Sequence, residues 1–199
     1  MKAQMMRGAA WVAVSRVLIN GIGFASTLLL ARVLLPEDFG VVAIAMTVIA
    51  IVGSVTEIPL SAALIQHANP VRAHYDSAWT ISVLRGSILG LALALSAVPI
   101  ARIYGDVRLE PLILALAGVT FIPCLCSPMY AKFARNLIFK QDFLLGVTKK
   151  LSGFVVAVAF ALIYKSYWAL VAGQAISEIV ALILPYTLAP YRPRVTLSP

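Results

Sequence analysis

A bundle of six transmembrane helices, an all-α polytopic membrane protein, is the fold class this sequence predicts. Three observations predict it. Apolar residues make up 61% of the 199 positions and charged residues only 12%, where soluble chains carry about 45–50% and about 25%. The mean hydropathy is +0.95, more apolar surface than a water-soluble core of this length can hide, so lipid takes up the excess. The apolar residues also fall into six stretches of roughly 20, the number that crosses about 30 Å of hydrocarbon.

The spans read as residues 8–34, 39–65, 77–100, 111–129, 146–164 and 167–188, one lobe filling residues 1–199. Lys2 and Arg7 precede the first. That run is too long for a signal peptide and lacks a small-residue cleavage site, so it is a retained helix. Pro36-Glu37-Asp38 ends it, Asn69-Pro70 follows the second span, Tyr104-Gly105-Asp106 the third and Lys165-Ser166 the fifth, each a turn-forming set. The connection 130–145 is longer and amphipathic. Phe133, Leu137, Ile138 and Phe143 alternate there with Lys132, Arg135 and Lys140, a pattern suited to the membrane surface. Cys124 and Cys126 are two apart in an apolar run with no His or carboxylate beside them; they read as small packers, not as a disulfide or a metal site.

Lys and Arg counts orient the bundle. The side holding both termini and the second and fourth connections carries ten, counting Lys149 and Lys150 at the mouth of the fifth span; the other side carries four. Both termini are therefore expected in the cytoplasm. The net charge of +8 reflects these loops and contact with anionic lipid, not nucleic acid, since no basic–aromatic patch accompanies it.

Arg16, Arg85, Glu57 and Glu178 remain inside spans. Each costs roughly 2.5–3.5 kcal/mol on insertion scales and requires a partner or water. At 1.5 Å per residue all four fall at one level, roughly 12–15 Å above the cytoplasmic helix ends. Helical spacing extends this surface: Arg16, Asn20, Gly23 and Thr27 share a face, as do Ser54, Glu57 and Ser61, and Gln174 with Glu178. Two readings follow. In one, the arginines pair with the glutamates and lock helices together. In the other, Arg16, Asn20 and Arg85 line a hydrated cavity and meet an anionic head group, with Glu57, Gln174 and Glu178 as ion-pair or coupling residues; the planar fork of arginine suits phosphate. Pro59, Pro123 and Pro128 read as kinks, static or hinged. His67 and His74 read as loop residues. No hydrolase, metalloprotease or nucleotide-binding motif occurs, so neither an enzyme nor a cofactor is expected.

The loops carry a resemblance. Ala31-Arg32-Val33-Leu34-Leu35-Pro36-Glu37-Asp38-Phe39-Gly40 resembles the A-R-x-L-x-P-x-x-F-G stretch of Wzx-like oligosaccharide flippases, the polysaccharide exporters of the multidrug/oligosaccharidyl-lipid/polysaccharide superfamily. Ala134 to Phe143, Tyr167 to Gln174 and Tyr191-Arg192-Pro193-Arg194 are similar to that family too. The resemblance implies flipping of a polyprenyl-diphosphate-linked oligosaccharide across a bacterial inner membrane, for O-antigen, capsule or exopolysaccharide assembly. It also implies a second lobe or a homodimer around a central cavity, and glycan polymerase machinery as a neighbour. Such proteins carry about twice as many spans, so this chain is expected to be an N-terminal lobe without its second half. The alternatives are half of a multidrug-type cation antiporter, which favours acidic cavities, a glycan ligase or polymerase, which favours long outward loops, and a non-transporting scaffold.

Overall fold

The computed structural model describes residues 2–55, 72–127 and 139–188. Glu57, Pro59, Ser61, His67, Pro128, the Tyr191 to Arg194 stretch and most of the 130–145 connection lie outside these residues. Six α-helices make up the described chain: α1 Lys2–Val33, α2 Pro36–Val55, α3 Arg72–Tyr104, α4 Leu109–Phe121, α5 Phe139–Tyr164 and α6 Trp168–Leu188. All except α4 are long and apolar enough to cross a membrane. No strand occurs among the described residues.

The turns follow from their residues. Pro36 opens α2, where its missing N–H costs nothing, and Glu37 and Asp38 place negative charge at the positive end of that helix. Gly105 takes φ +68° between α3 and α4, a conformation that a Cβ disfavours. Lys165 takes φ +45° between α5 and α6, and its N–H closes the end of α5 on the Ala161 carbonyl at 2.9 Å. At the same end of the bundle Arg108 grips Asp106 through Nη2 at 2.8 Å and approaches Asp38 at 3.8 Å, tying two connections together. The guanidinium and the backbone N–H of Arg108 hold the Asp106 carboxyl below its ordinary value.

Two helix positions differ from the expected spans. The fourth span was expected over 111–129, but α4 stops at Phe121 and tightens into a 3₁₀ turn, Ile122–Leu125, with Pro123 in its first positions. Proline has no N–H for an α ladder, and Cys126 leaves the helix with an extended backbone (φ −60°, ψ 147°). The freed Leu125 carbonyl accepts from Tyr186 Oη at 2.8 Å and Trp79 Nε1 at 3.4 Å, satisfying a group that hydrocarbon would leave bare. The fifth span was expected to begin at residue 146, but α5 is already helical at Phe139. Gly146 lies inside that helix, where α1 comes close: a Cβ at Gly146 would stand 2.9 Å from Ile19 Cδ1. Lys149 and Lys150 consequently lie within the apolar stretch Phe143–Tyr164, not at its mouth.

The helices pack as two groups. Helices α2, α3 and α4 surround a core of Val41, Ala45, Leu89, Leu93, Leu112, Ile113 and Leu116, in which α4 is the most enclosed element. Helices α1, α5 and α6 meet around Leu30, Leu34, Ala157, Ala161 and Ala169. Val171 of α6 belongs to the first core and joins the groups. Lipid tails are as apolar as leucine, so close packing and polar contacts, not escape from water, hold such a bundle. Exposed side chains such as Val17, Phe24, Leu95 and Ile163 are the surface that hydrocarbon covers.

Candidate functional site

Small residues bring α5 and α6 together. Gly153 and Ala157 on α5, four apart, face Gly173 and Ser177 on α6, also four apart. A Cβ on Gly173 would stand 2.6 Å from Ala157 Cβ and 2.8 Å from the Gly153 carbonyl. This is the small-xxx-small arrangement that lets membrane helices touch backbone to backbone. Serine hydroxyls complete the seam, since both Ser152 and Ser177 donate to the Lys149 carbonyl, at 2.9 and 3.2 Å.

That approach delivers two charges to one point. Glu178 is only 7% exposed and lies ten residues into the 21-residue α6, about 15 Å from either end. Lys149 Nζ reaches both of its carboxylate oxygens at 2.9 Å. Gln174 Nε2, one turn away on the same face, donates to Glu178 Oε1 at 3.0 Å. A carboxylate at this depth would be prohibitive alone; a bridging ammonium and an amide donor make it tenable.

Beside this network, between α1, α5 and α6, is a cavity of about 150 Å³ whose polar lining is Ser26, Lys150, Gln174 and Ser177. The Lys150 stem crosses toward α1, its Cε 3.3 Å from where a Gly23 Cβ would stand.

The expected site residues are only partly gathered. Gln174 and Glu178 are joined, but the cation on Glu178 is Lys149, which sequence reading had left in a loop, not Arg16 or Arg85. Arg16 and Asn20 are exposed on α1, flanking the line Ile19, Gly23, Ser26 and Leu30 that meets α5. Thr27 returns its hydroxyl to the Gly23 carbonyl at 3.1 Å, and Ser54 does the same to Ile51 at 2.8 Å, so neither adds a free polar group. Arg85 stands on α3 in the other helix group. It is half-buried, and its Nε is enclosed without a hydrogen-bond partner among the described residues. Its neighbour Gly86 is pressed on Cys124, where a Cβ would meet Cβ at 2.6 Å. Glu57 lies outside the described residues. The signal that could have found Lys149 was the phase of α5: Lys149 falls on the face of Gly153, four residues on, which is helical spacing.

A membrane helix bundle with ionised groups at mid-depth is the architecture of a multi-pass membrane protein with a polar interior. The chain belongs to the polysaccharide biosynthesis protein family, whose pattern it matches over residues 29–199. It is 27% identical over 194 residues to the succinoglycan biosynthesis transport protein ExoT of Rhizobium meliloti (strain 1021), an alignment covering 96% of this chain and 39% of that protein. It is 21% identical over 184 residues to the lipopolysaccharide biosynthesis protein WzxC of Escherichia coli (strain K12), covering 92% and 37%. The chain thus spans about two-fifths of the length of these curated relatives. No solved structure matches it. The resemblance carried by the Ala31 to Gly40 stretch therefore holds at the level of the family.

Proposed function

We propose that this chain forms one six-helix lobe of a flippase that moves a polyprenyl-diphosphate-linked oligosaccharide across a bacterial inner membrane for surface polysaccharide assembly. The observation that carries this reading is membership of the polysaccharide biosynthesis family over residues 29–199, together with relatives named for succinoglycan transport and lipopolysaccharide synthesis. A transport role, not catalysis, accords with those names. The polar interior supports the same reading. In this proposal Arg16, Asn20 and Arg85 bind the diphosphate, and Glu57, Gln174 and Glu178 supply ion pairs that rearrange as the cavity changes its opening. The exposed face carrying Arg16 and Asn20 turns toward a second lobe or a second copy, which supplies the opposite wall. The glycan stays in water and the prenyl tail in lipid. Both termini stand in the cytoplasm: even with Lys149 and Lys150 left out of the count, the cytoplasmic side keeps eight Lys and Arg residues in connections and at helix ends against four.

The test is restoration of surface polysaccharide in a cell that lacks its own flippase. Arg16→Gln and Arg85→Gln are expected to lower export about tenfold each at unchanged protein level, because each removes a charge-assisted phosphate contact. The lysine variants should retain more. Full export by the double glutamine variant would remove these residues from the proposal, and no export by the native chain paired with its second lobe would remove the flippase reading.

A further inference from the structure

The cavity between α1, α5 and α6 is lined by a lysine that is committed to no carboxylate among the described residues. Lys149 is taken by Glu178. Lys150, the next residue, is exposed on the lobe and has no ion-pair partner among the described residues, yet it sits seven residues into the apolar stretch Phe143–Tyr164, about 10 Å from its nearer end. A lysine evading hydrocarbon runs its stem along its own helix toward the nearer surface. This one crosses to α1, fitting against the bare backbone of Gly23, and so lines the cavity with Ser26 and Gln174.

The remaining donors converge on the same space. Ser26 presents a hydroxyl. One N–H of the Gln174 amide goes to Glu178, and its second is left for the cavity. Ser177 gives its proton to the Lys149 carbonyl and offers only lone pairs. Among the described residues, the carboxylate beside the cavity, Glu178, has its charge answered by Lys149, so the described lining carries a surplus of one positive charge. The cavity, of about 150 Å³ and partly open to its surroundings, has room for a phosphoryl group.

We propose that Lys150, Ser26 and Gln174 form an anion site for a single phosphoryl group, within one lobe and distinct from the exposed Arg16 face. In the transport reading, on which its biological ligand rests, this is a holding point for the lipid-linked diphosphate separate from the arginines. Lys150 supplies the charge, Ser26 and Gln174 the direction. Gly23 leaves open space for the Lys150 stem to cross.

The test is direct binding to the purified protein in detergent, with inorganic pyrophosphate in one arm and farnesyl diphosphate in the other. Native protein is expected to bind at least one of them with an affinity that falls as salt rises. Lys150→Gln should weaken that binding about ten- to hundredfold, as expected for a charge-assisted contact. Lys150→Arg should stay within about threefold, and Lys165→Gln, remote in the α5–α6 turn, should not change it. Binding of pyrophosphate as tightly as farnesyl diphosphate assigns the site to the phosphoryl group alone; binding only of farnesyl diphosphate, still lost in Lys150→Gln, assigns it to a lipid head group. Either supports the site. Unchanged binding in Lys150→Gln, or none to native protein in both arms, overturns it. Should the glutamine variant not purify as a monodisperse species, Ser26→Ala with Gln174→Leu replaces it, with the same loss expected. Because binding is read without transport, failure of the export assay with Lys150-dependent binding intact would sink the flippase reading and leave the anion site standing.

Discussion

At the scale of single residues, the Lys149–Glu178 pair is a commitment the protein cannot half withdraw. Replacing Lys149 by Met leaves a carboxylate in mid-membrane with one amide for company. Removing one partner of a buried pair costs about 3–5 kcal/mol, and the 36% exposure of the lysine side chain reduces this to about 1–3 kcal/mol. Thermal unfolding in detergent should show that loss for Lys149→Met. The double variant Lys149→Met with Glu178→Leu should recover most of it, because no lone charge remains. Equal, additive losses would mean that the two side chains do not interact. Sequence alone made Glu178 visible, since an acid inside an apolar run demands an explanation. It hid Lys149, because a lysine a few residues from a basic connection looks like part of that connection. Whether it belongs to helix or loop depends on where α5 begins, and the helix starts at Phe139, seven residues before Gly146.

At the scale of elements, the small-residue seam between α5 and α6 fixes the geometry on which both polar networks depend. Gly173→Ala would set a Cβ 2.6 Å from Ala157 Cβ, and overpacking of this kind costs typically 1–3 kcal/mol. Gly118 in α4, where a Cβ would meet nothing within 4 Å, is the matched comparison: alanine there should be neutral or stabilising by up to about 1 kcal/mol. Melting temperatures of the two variants, measured side by side, check this, and a Gly173→Ala protein as stable as Gly118→Ala would deny the close approach. The helices themselves were readable from hydropathy and turn residues: Pro36, Gly105 and Lys165-Ser166 stand where the breaks were expected. The length of α4 was not, because an apolar run continues through Pro123 to Leu125 and composition does not record where an α ladder loses its N–H. Nor did the arginines announce which helix group each joins, since residues that share a depth need not share a face.

At the scale of the whole molecule, the chain alternates in direction, and the connections at Leu35, at Gly105 and at Lys165 share one end. A cysteine introduced by Lys165→Cys is expected to react with a membrane-impermeant thiol reagent from the periplasmic side of intact cells, whereas the native Cys124 and Cys126, both half-buried, should react little. Labelling only after the membrane is opened would invert the orientation. The division into two helix groups has a further consequence, for synthesis. Helix α1 leaves the ribosome well before α5, along which it chiefly packs and which begins 106 residues after α1 ends. At about 5–20 residues per second α1 waits roughly 5–20 s in lipid before this neighbour is made. A chain cut short after α4 would strand it there, polar stripe and Arg16 included, as a ready target for the proteases that clear orphaned segments from membranes.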